Sequence, residues 1–346
     1  MSSAALFVLD TGEAWEYEGD SMRREISLNA VFAAEKVVYS ALKQTQLVMY
    51  PNLSELIGCE VYIKHENQHP GASFKIRGGI NLMHHLKREK INGVITFSTG
   101  NHGISIASAA RRYSIDATIV VPNNSNLMKI QSMREMGAKV LEEGQNFEEA
   151  AAFGLEFQKK HKLRFVHAAN EPHLINGVGT EFTEILRELP DIDAIILPIG
   201  GGSEAAAAVT VFKQINPSIE IYAVQAASSQ AAYLSWKQGK VCMSENRTFA
   251  GGFATGEGFS LPFSIYKDHL SDFVLLSEDE ILQGIQLAMY YTRNMAEGAG
   301  ASTIMAAIKL RDKLKGKKVV LQMSGANETL DVIKKSLSMK TTIEVS

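Results

Sequence analysis

The run Ala194-Ile195-Ile196-Leu197-Pro198-Ile199-Gly200-Gly201-Gly202-Ser203-Glu204 decides how the rest of the chain reads. Four apolar residues with no polar alternation predict a strand buried on both faces. Three glycines then turn the chain into a helical segment predicted over 204–214. Strand, turn and helix in that order are the unit of a parallel sheet covered by helices. The end of such a strand, at the start of a helix, is also where anions settle. The glycines offer a nest of backbone N–H groups, and Ser203 adds a hydroxyl. No Gly-Lys-Ser/Thr follows, so this is not a nucleoside-triphosphate loop. It lacks the dinucleotide fingerprint spacing and an acidic partner for a ribose. The turn therefore points to a phosphate that belongs to neither ATP nor NAD, although a plain flexible turn has the same local composition.

The same alternation repeats outward in both directions. Strands are predicted at 60–63, 93–97, 117–121, 139–142, 164–166, 194–197, 220–224, 272–276 and 318–322. Helical spacing of apolar residues marks 28–42, 74–86, 102–113, 126–136 and 147–160. An acidic, aperiodic lead-in occupies 1–25. The expected class is α/β, with mostly parallel sheets. The 346 residues carry a formal net charge of −3 and are 45% hydrophobic. That size exceeds what one core usually fills, which favours two domains. Near-neutral charge argues against a nucleic-acid partner. No apolar run reaches the length of a membrane span, and the N-terminus lacks the pattern of a secretory signal. Cys59 and Cys242 are too few for a disulfide scaffold, which suits a cytoplasmic setting.

Two further turns follow the same logic. In Pro70-Gly71-Ala72-Ser73-Phe74-Lys75-Ile76-Arg77-Gly78-Gly79, Ser73 is read as an N-cap and Lys75 falls in the first helical turn. A cation there opposes the helix dipole, which lowers its pKa and makes the amine nucleophilic. A solvated surface lysine is the plainer reading of such a residue taken alone. In Ser98-Thr99-Gly100-Asn101-His102-Gly103, hydroxyls, an amide and free N–H groups suit a carboxylate or phosphate, or simply a capped turn. A fourth element, Met323-Ser324-Gly325-Ala326-Asn327, places a serine just past the last strand. Eight of the 27 glycines, Gly71, Gly78, Gly79, Gly100, Gly103, Gly200, Gly201 and Gly202, are assigned to the first three turns. The histidines His65, His69, His84, His85 and His102 match no zinc spacing and are read as helix-surface or turn residues, with no metal expected.

In this order, the four elements resemble the tryptophan-synthase-β-like (fold type II) pyridoxal-phosphate enzymes, over roughly residues 27–336. Within them the resemblance is to the serine/threonine dehydratases, with serine racemase a near relative. It implies two doubly wound α/β domains with pyridoxal 5'-phosphate in the cleft between them. The larger domain would span 1–92 and 171–346, and the smaller, inserted one 93–170. Lys75 would form the Schiff base and act as base. Phe74, Asn101, Gly200, Gly201, Gly202, Ser203, Gly252, Glu297 and Ser324 would surround the cofactor. Ser98, Thr99, Gly100, Asn101 and His102 would hold the substrate, an amino acid. The implied reaction is β-elimination from L-threonine or L-serine to a 2-oxo acid and ammonia, by a homodimer.

The sequence departs from that pattern in places. Ser203 stands where a fourth glycine is common, and a small donor still suits a phosphate. Thr99 occupies the place of the second-face serine of serine racemase, so its hydroxyl could serve, constrained by its methyl. Gly251 replaces a frequent acidic residue and leaves substrate choice open. Gln225, Ser229 and Ala231 stand where some relatives bind a divalent metal, and they lack its carboxylates. Gln46 replaces a proline. The chain stops shortly after Ser324, as in the catabolic enzymes without a regulatory domain. A racemase, a 3-hydroxyaspartate lyase of the same fold, or a non-enzymatic amino-acid-binding module are the other readings.

Overall fold

The computed structural model describes residues 21–340. Most of the expected acidic lead-in lies outside those residues, and residues 21–24 are helical. Among the described residues ten strands form two sheets. The larger has the order β1-β2-β10-β7-β8-β9, comprising Leu47–Met49, Glu60–Lys64, Lys318–Gln322, Ala194–Pro198, Glu220–Ala226 and Asp272–Leu276. The smaller has the order β5-β4-β3-β6, comprising Lys139–Glu142, Asp116–Val121, Gly93–Phe97 and Arg164–Phe165. Every pairing is parallel except β1 with β2. The chain is thus α/β with parallel sheets, as the alternation requires.

Strand β7 shows why an unbroken apolar run was needed. Ile195 and Leu197 enter the apolar cluster on one face, and Ala194 and Ile196 enter the cluster on the other. All four are fully buried. Each large side chain so placed stabilises the fold by about 1.5–3 kcal/mol. A third cluster, with Val94, Ile119 and Val121 from the small sheet, packs beside the helix Lys75–Arg88.

Local chemistry sets the helix ends. Asn146 accepts from the Glu149 N–H, Ser277 and Glu280 form a reciprocal capping box, and Pro172 opens the helix Pro172–Glu188. Ser73 does not cap the Lys75–Arg88 helix, contrary to the sequence reading. Its backbone bridges to Gly325, and Phe74 takes the cap position with helical dihedrals. The 28–42 helix is shorter than predicted and ends at Val38. Gly78, Gly79 and Gly103 lie inside helices rather than in turns. Their role is close packing: a Cβ at Gly79 would sit 2.3 Å from Ser105 Oγ, and one at Gly103 2.8 Å from the Met133 methyl.

Candidate active site

Lys75 is the first residue of its helix, so its side chain leaves from the helix's N-terminal end. Its Nζ donates to Ser203 Oγ at 2.9 Å and lies 4.8 Å from the centre of the Phe74 ring. The side chain is half-buried. Burial lowers its pKa to about 8, against the raising pull of Glu204, Glu181 and Glu297. An amine of that basicity is partly in its nucleophilic free-base form near neutral pH. Phe74 is buried, and its N–H donates to the Ser324 carbonyl at 3.0 Å, tying the lysine turn to the end of β10.

Ser203 opens the helix Ser203–Ile215 directly after the glycines. Gly202 has φ 82°, a conformation that glycine adopts without steric cost. The first helical hydrogen bond there runs from the Ala206 N–H to the Gly202 carbonyl, so earlier N–H groups lack helical acceptors. A Cβ at Gly200 would sit 2.0 Å from the Gly252 carbonyl oxygen, so the glycine loop and the 250–253 turn touch backbone to backbone. Gly252 itself is exposed.

The turn after β3 meets this floor from the smaller sheet. Asn101 Nδ2 donates to Glu297 Oε1 at 2.6 Å, and Asn101 Oδ1 accepts from Asn327 Nδ2 at 2.8 Å. Asn327 Nδ2 also donates to the Gly71 carbonyl at 2.7 Å. Burial raises the pKa of Glu297 to about 7, opposed by Lys129 and by the hydrogen bond from Asn101. Ser98 Oγ accepts from the N–H groups of Gly100 and Gly103, so its oxygen caps the helix Asn101–Tyr113. Thr99 is exposed, and a Cβ at Gly100 would meet nothing within 4 Å. His102 turns inward: Nε2 lies 3.0 Å from Thr96 Oγ1, whose own proton goes to the Val166 carbonyl. Burial, with Lys75 and His167 nearby, lowers its pKa to about 3, so it is neutral. Its ring belongs to the floor under the turn. His65 and His69, at the two ends of the short 3-10 turn Glu66–Gln68, are turn residues as read, and both are buried.

Beneath the lysine lies a buried ionic network that the sequence reading missed. Arg77 donates to Glu66 through Nε and Nη2, both at 2.7 Å, and to Glu184 at 2.7 and 2.9 Å. Lys64 Nζ donates to Glu184 Oε2 at 2.6 Å. Burial alone would raise the Glu66 carboxyl, but Arg77 and His69 hold it well below its ordinary value. Asn327 stands in the fourth element but was given no role; its place in the loop just past β10 was the available signal.

The arrangement therefore joins a weakly basic amine, a helix start with free N–H groups and a hydroxyl, and an asparagine–glutamate pair. That set can bond a carbonyl and hold a phosphate. A family model described as pyridoxal-phosphate dependent enzyme matches residues 38–325.

The chain belongs to that family.

An L-threonine ammonia-lyase of Thermotoga maritima is 36% identical over 310 residues, covering 89% of this chain and 77% of that protein. The processed form of threonine deaminase isoform 2 from Solanum lycopersicum superposes with a TM-score of 0.85 at 34% identity, over 92% of this chain and 88% of the other. Maize serine racemase superposes with a TM-score of 0.85 at 25% identity, over 90% and 97%. The residues present fit the family's cofactor: Lys75 can bond its aldehyde, and the Gly200–Ser203 turn can hold its phosphate. Among the described residues no group of three or more His, Cys, Asp or Glu could hold a metal ion, and no helix is long and apolar enough to cross a membrane.

Proposed function

We propose that this chain is a pyridoxal-phosphate-dependent ammonia-lyase that converts L-threonine or L-serine to a 2-oxo acid and ammonia. The observation that carries the reading is the Lys75 amine resting on Ser203 at the glycine turn, together with the Asn101–Glu297 pair. The relatives named above support the substrate class. When bound, the cofactor supplies an electron sink for the charge left at the substrate's α-carbon.

The chain's own residues would divide the remaining work. Lys75 Nζ would take the α-proton and hold it while the β-hydroxyl leaves. Gly200, Gly201, Gly202 and Ser203 would hold the phosphate through N–H groups and a hydroxyl. Ser324, which is buried, would face the cofactor's ring nitrogen. A serine there leaves that nitrogen uncharged more readily than a carboxylate would, which favours elimination over reprotonation. Asn101, fixed by Glu297 and Asn327, would orient the ring. The turn from Ser98 to His102 would take the substrate carboxylate through its backbone N–H groups. Phe74, Gly252 and Glu297 would line the pocket.

The two domains proposed are 1–92 with 171–346, and 93–170. Closure of one over the other would exclude water and strengthen the polar contacts within the cleft. We also propose a homodimer in the cytoplasm, which light scattering and cell fractionation test. The likeness to serine racemase and the hydroxyl of exposed Thr99 support racemisation as a second activity. The deciding experiment is a panel of β-hydroxy amino acids assayed for 2-oxo acid, with chiral analysis of the recovered substrate. Cofactor-loaded protein that yields no 2-oxo acid from any of them sinks the lyase reading.

A further inference from the structure

Lys129 lies on the helix Leu127–Glu135, which packs on the helix that begins at Asn101. Its backbone N–H donates to Asn126 Oδ1 at 3.1 Å and so secures the first turn. Residues four apart share a helix face, so Lys129 leaves on the same side as Met133. The Met133 methyl sits where a Cβ on Gly103 would come within 2.8 Å of it. That face is therefore the one turned toward residues 98–103, and the Lys129 side chain on it is half-buried.

Two successive glycines connect this amine to the site. A Cβ at Gly251 would lie 3.5 Å from Lys129 Nζ and meet nothing else within 4 Å. A Cβ at Gly252 would lie 3.7 Å from Glu297 Oε1, and the Gly252 carbonyl is the one that touches Gly200. Lys129 also lines a cavity of about 70 Å³ with Ile104, Asn327 and Glu328. That is room for a carboxylate or a few waters. Among the described residues the amine makes no hydrogen bond, and no ion pair within 4.0 Å. The neighbouring carboxylates are engaged elsewhere. Glu297 Oε1 accepts from Asn101, and the two Glu328 oxygens accept from the N–H groups of Gly298 and Thr329, both at 3.0 Å. Burial raises the Glu297 carboxyl, and Lys129 is the strongest influence pulling it back, so the two groups face one another across a gap.

An ammonium drawn partly out of water, with no anion against it, gains most from an anion that arrives with a ligand. Two anions already have places: the cofactor phosphate at Gly200–Ser203 and the substrate's α-carboxylate at the 98–102 turn. A carboxylate on the substrate side chain is the one left to meet Lys129. We propose that Lys129 is a specificity-determining residue that binds a carboxylate on the substrate's β-carbon, so that the site takes acidic β-hydroxy amino acids, 3-hydroxyaspartate being the smallest, ahead of threonine. Gly251 leaves the approach to the amine open. The inference rests on the lyase reading, and the bonds that change are the same. The α C–H and β C–O bonds break and water leaves. A later water displaces the nitrogen as ammonia, which gives a 2-oxo dicarboxylic acid.

The test compares the cofactor-loaded wild type with Lys129→Met, Lys129→Arg and Gly251→Asp. Turnover is measured on the diastereomers of 3-hydroxyaspartate and on threonine. Calorimetry measures binding of L-aspartate, which has the second carboxylate but no leaving hydroxyl, beside L-alanine. The wild type should show the higher kcat/KM on 3-hydroxyaspartate and bind aspartate at least about tenfold more tightly than alanine. In Lys129→Met the ratio of kcat/KM for 3-hydroxyaspartate to that for threonine should fall by about tenfold or more, through KM. Lys129→Arg should keep most of it. Gly251→Asp sets a carboxylate of the protein's own beside the amine and should lower the ratio likewise. The new carbon meets only Lys129 Nζ, so this variant provides the result should Lys129→Met fail to fold. A ratio that neither variant moves, or equal falls on both substrates, overturns the assignment and leaves Lys129 as a counter-charge for Glu297. A wild type that forms no 2-oxo acid from any β-hydroxy amino acid overturns the lyase reading instead. Aspartate binding that still depends on Lys129 would then uphold the carboxylate site by itself.

Discussion

Asn101 and Glu297, 196 residues apart in sequence, share a 2.6 Å hydrogen bond that fastens the helix after β3 to the helix after the 293–297 turn. This bond joins the turn after β3 of the smaller sheet to a helix that packs against β7 of the larger one. Its carboxyl end carries a raised pKa of about 7, so the pair is sensitive to pH in the physiological range.

That sensitivity gives a stability prediction. A carboxyl raised from 4.5 to about 7 binds its proton more tightly folded than unfolded. Its folded-state advantage is complete below the unfolded value and is lost as pH rises toward 7. Across that window Glu297 should cost the cofactor-free protein roughly 3 kcal/mol of stability. Glu297→Gln removes this dependence. Urea unfolding at pH 5 and pH 8 should show a smaller loss in the variant, and an equal loss in both proteins would count against the assignment.

Replacing the amine should be decisive for turnover. Lys75→Ala is expected to lower 2-oxo acid formation by at least roughly 10²–10⁴-fold, the span of a lost general base, and to abolish the visible absorbance of bound cofactor. The half-buried position should spare the fold, which circular dichroism checks. Full turnover by the variant would refute the role.

Gly200→Ala tests the contact beneath the phosphate turn. The added carbon meets the Gly252 carbonyl oxygen at 2.0 Å, so one of the two loops must move. Strain of about 1–3 kcal/mol follows. Cofactor affinity should fall by tenfold or more in equilibrium dialysis; unchanged affinity would mean the loops are not in contact.

Arg77 is the keystone of the buried ions. Arg77→Met leaves Glu66 and Glu184 without their guanidinium partner, in a region with no solvent access. The cost should be about 3–5 kcal/mol, read as a lower urea midpoint. Arg77→Lys should recover only part of it, since an ammonium cannot repeat the forked contacts.

Much of this architecture is legible in the residues themselves. Strands β3, β5, β9 and β10 begin and end at the residues predicted for them, because each is a short, mainly apolar segment bounded by polar or turn residues. Strand β1 escaped notice, being only Leu47, Val48 and Met49 paired antiparallel at an edge. The Ser73 cap failed because a distant partner, Gly325, claimed that backbone. Candidate residues beside strand ends, such as Lys75, Asn101 and Ser203, could be picked out locally. The Gln322 bridges could not, since they reach Glu204 and Glu181 across 118 and 141 residues, and no nearby pattern encodes such a meeting.

The position of β10 governs the order in which the molecule can assemble. That strand, the last of the ten described, lies between β2 and β7, and β2 has no parallel neighbour without it. A ribosome must therefore release residue 322 before the larger sheet can close. All four strands of the smaller sheet will by then have been available for some time. Until then the faces of β2 and β7 that β10 will join remain open edges, the state in which misassembly and chaperone capture are most favoured.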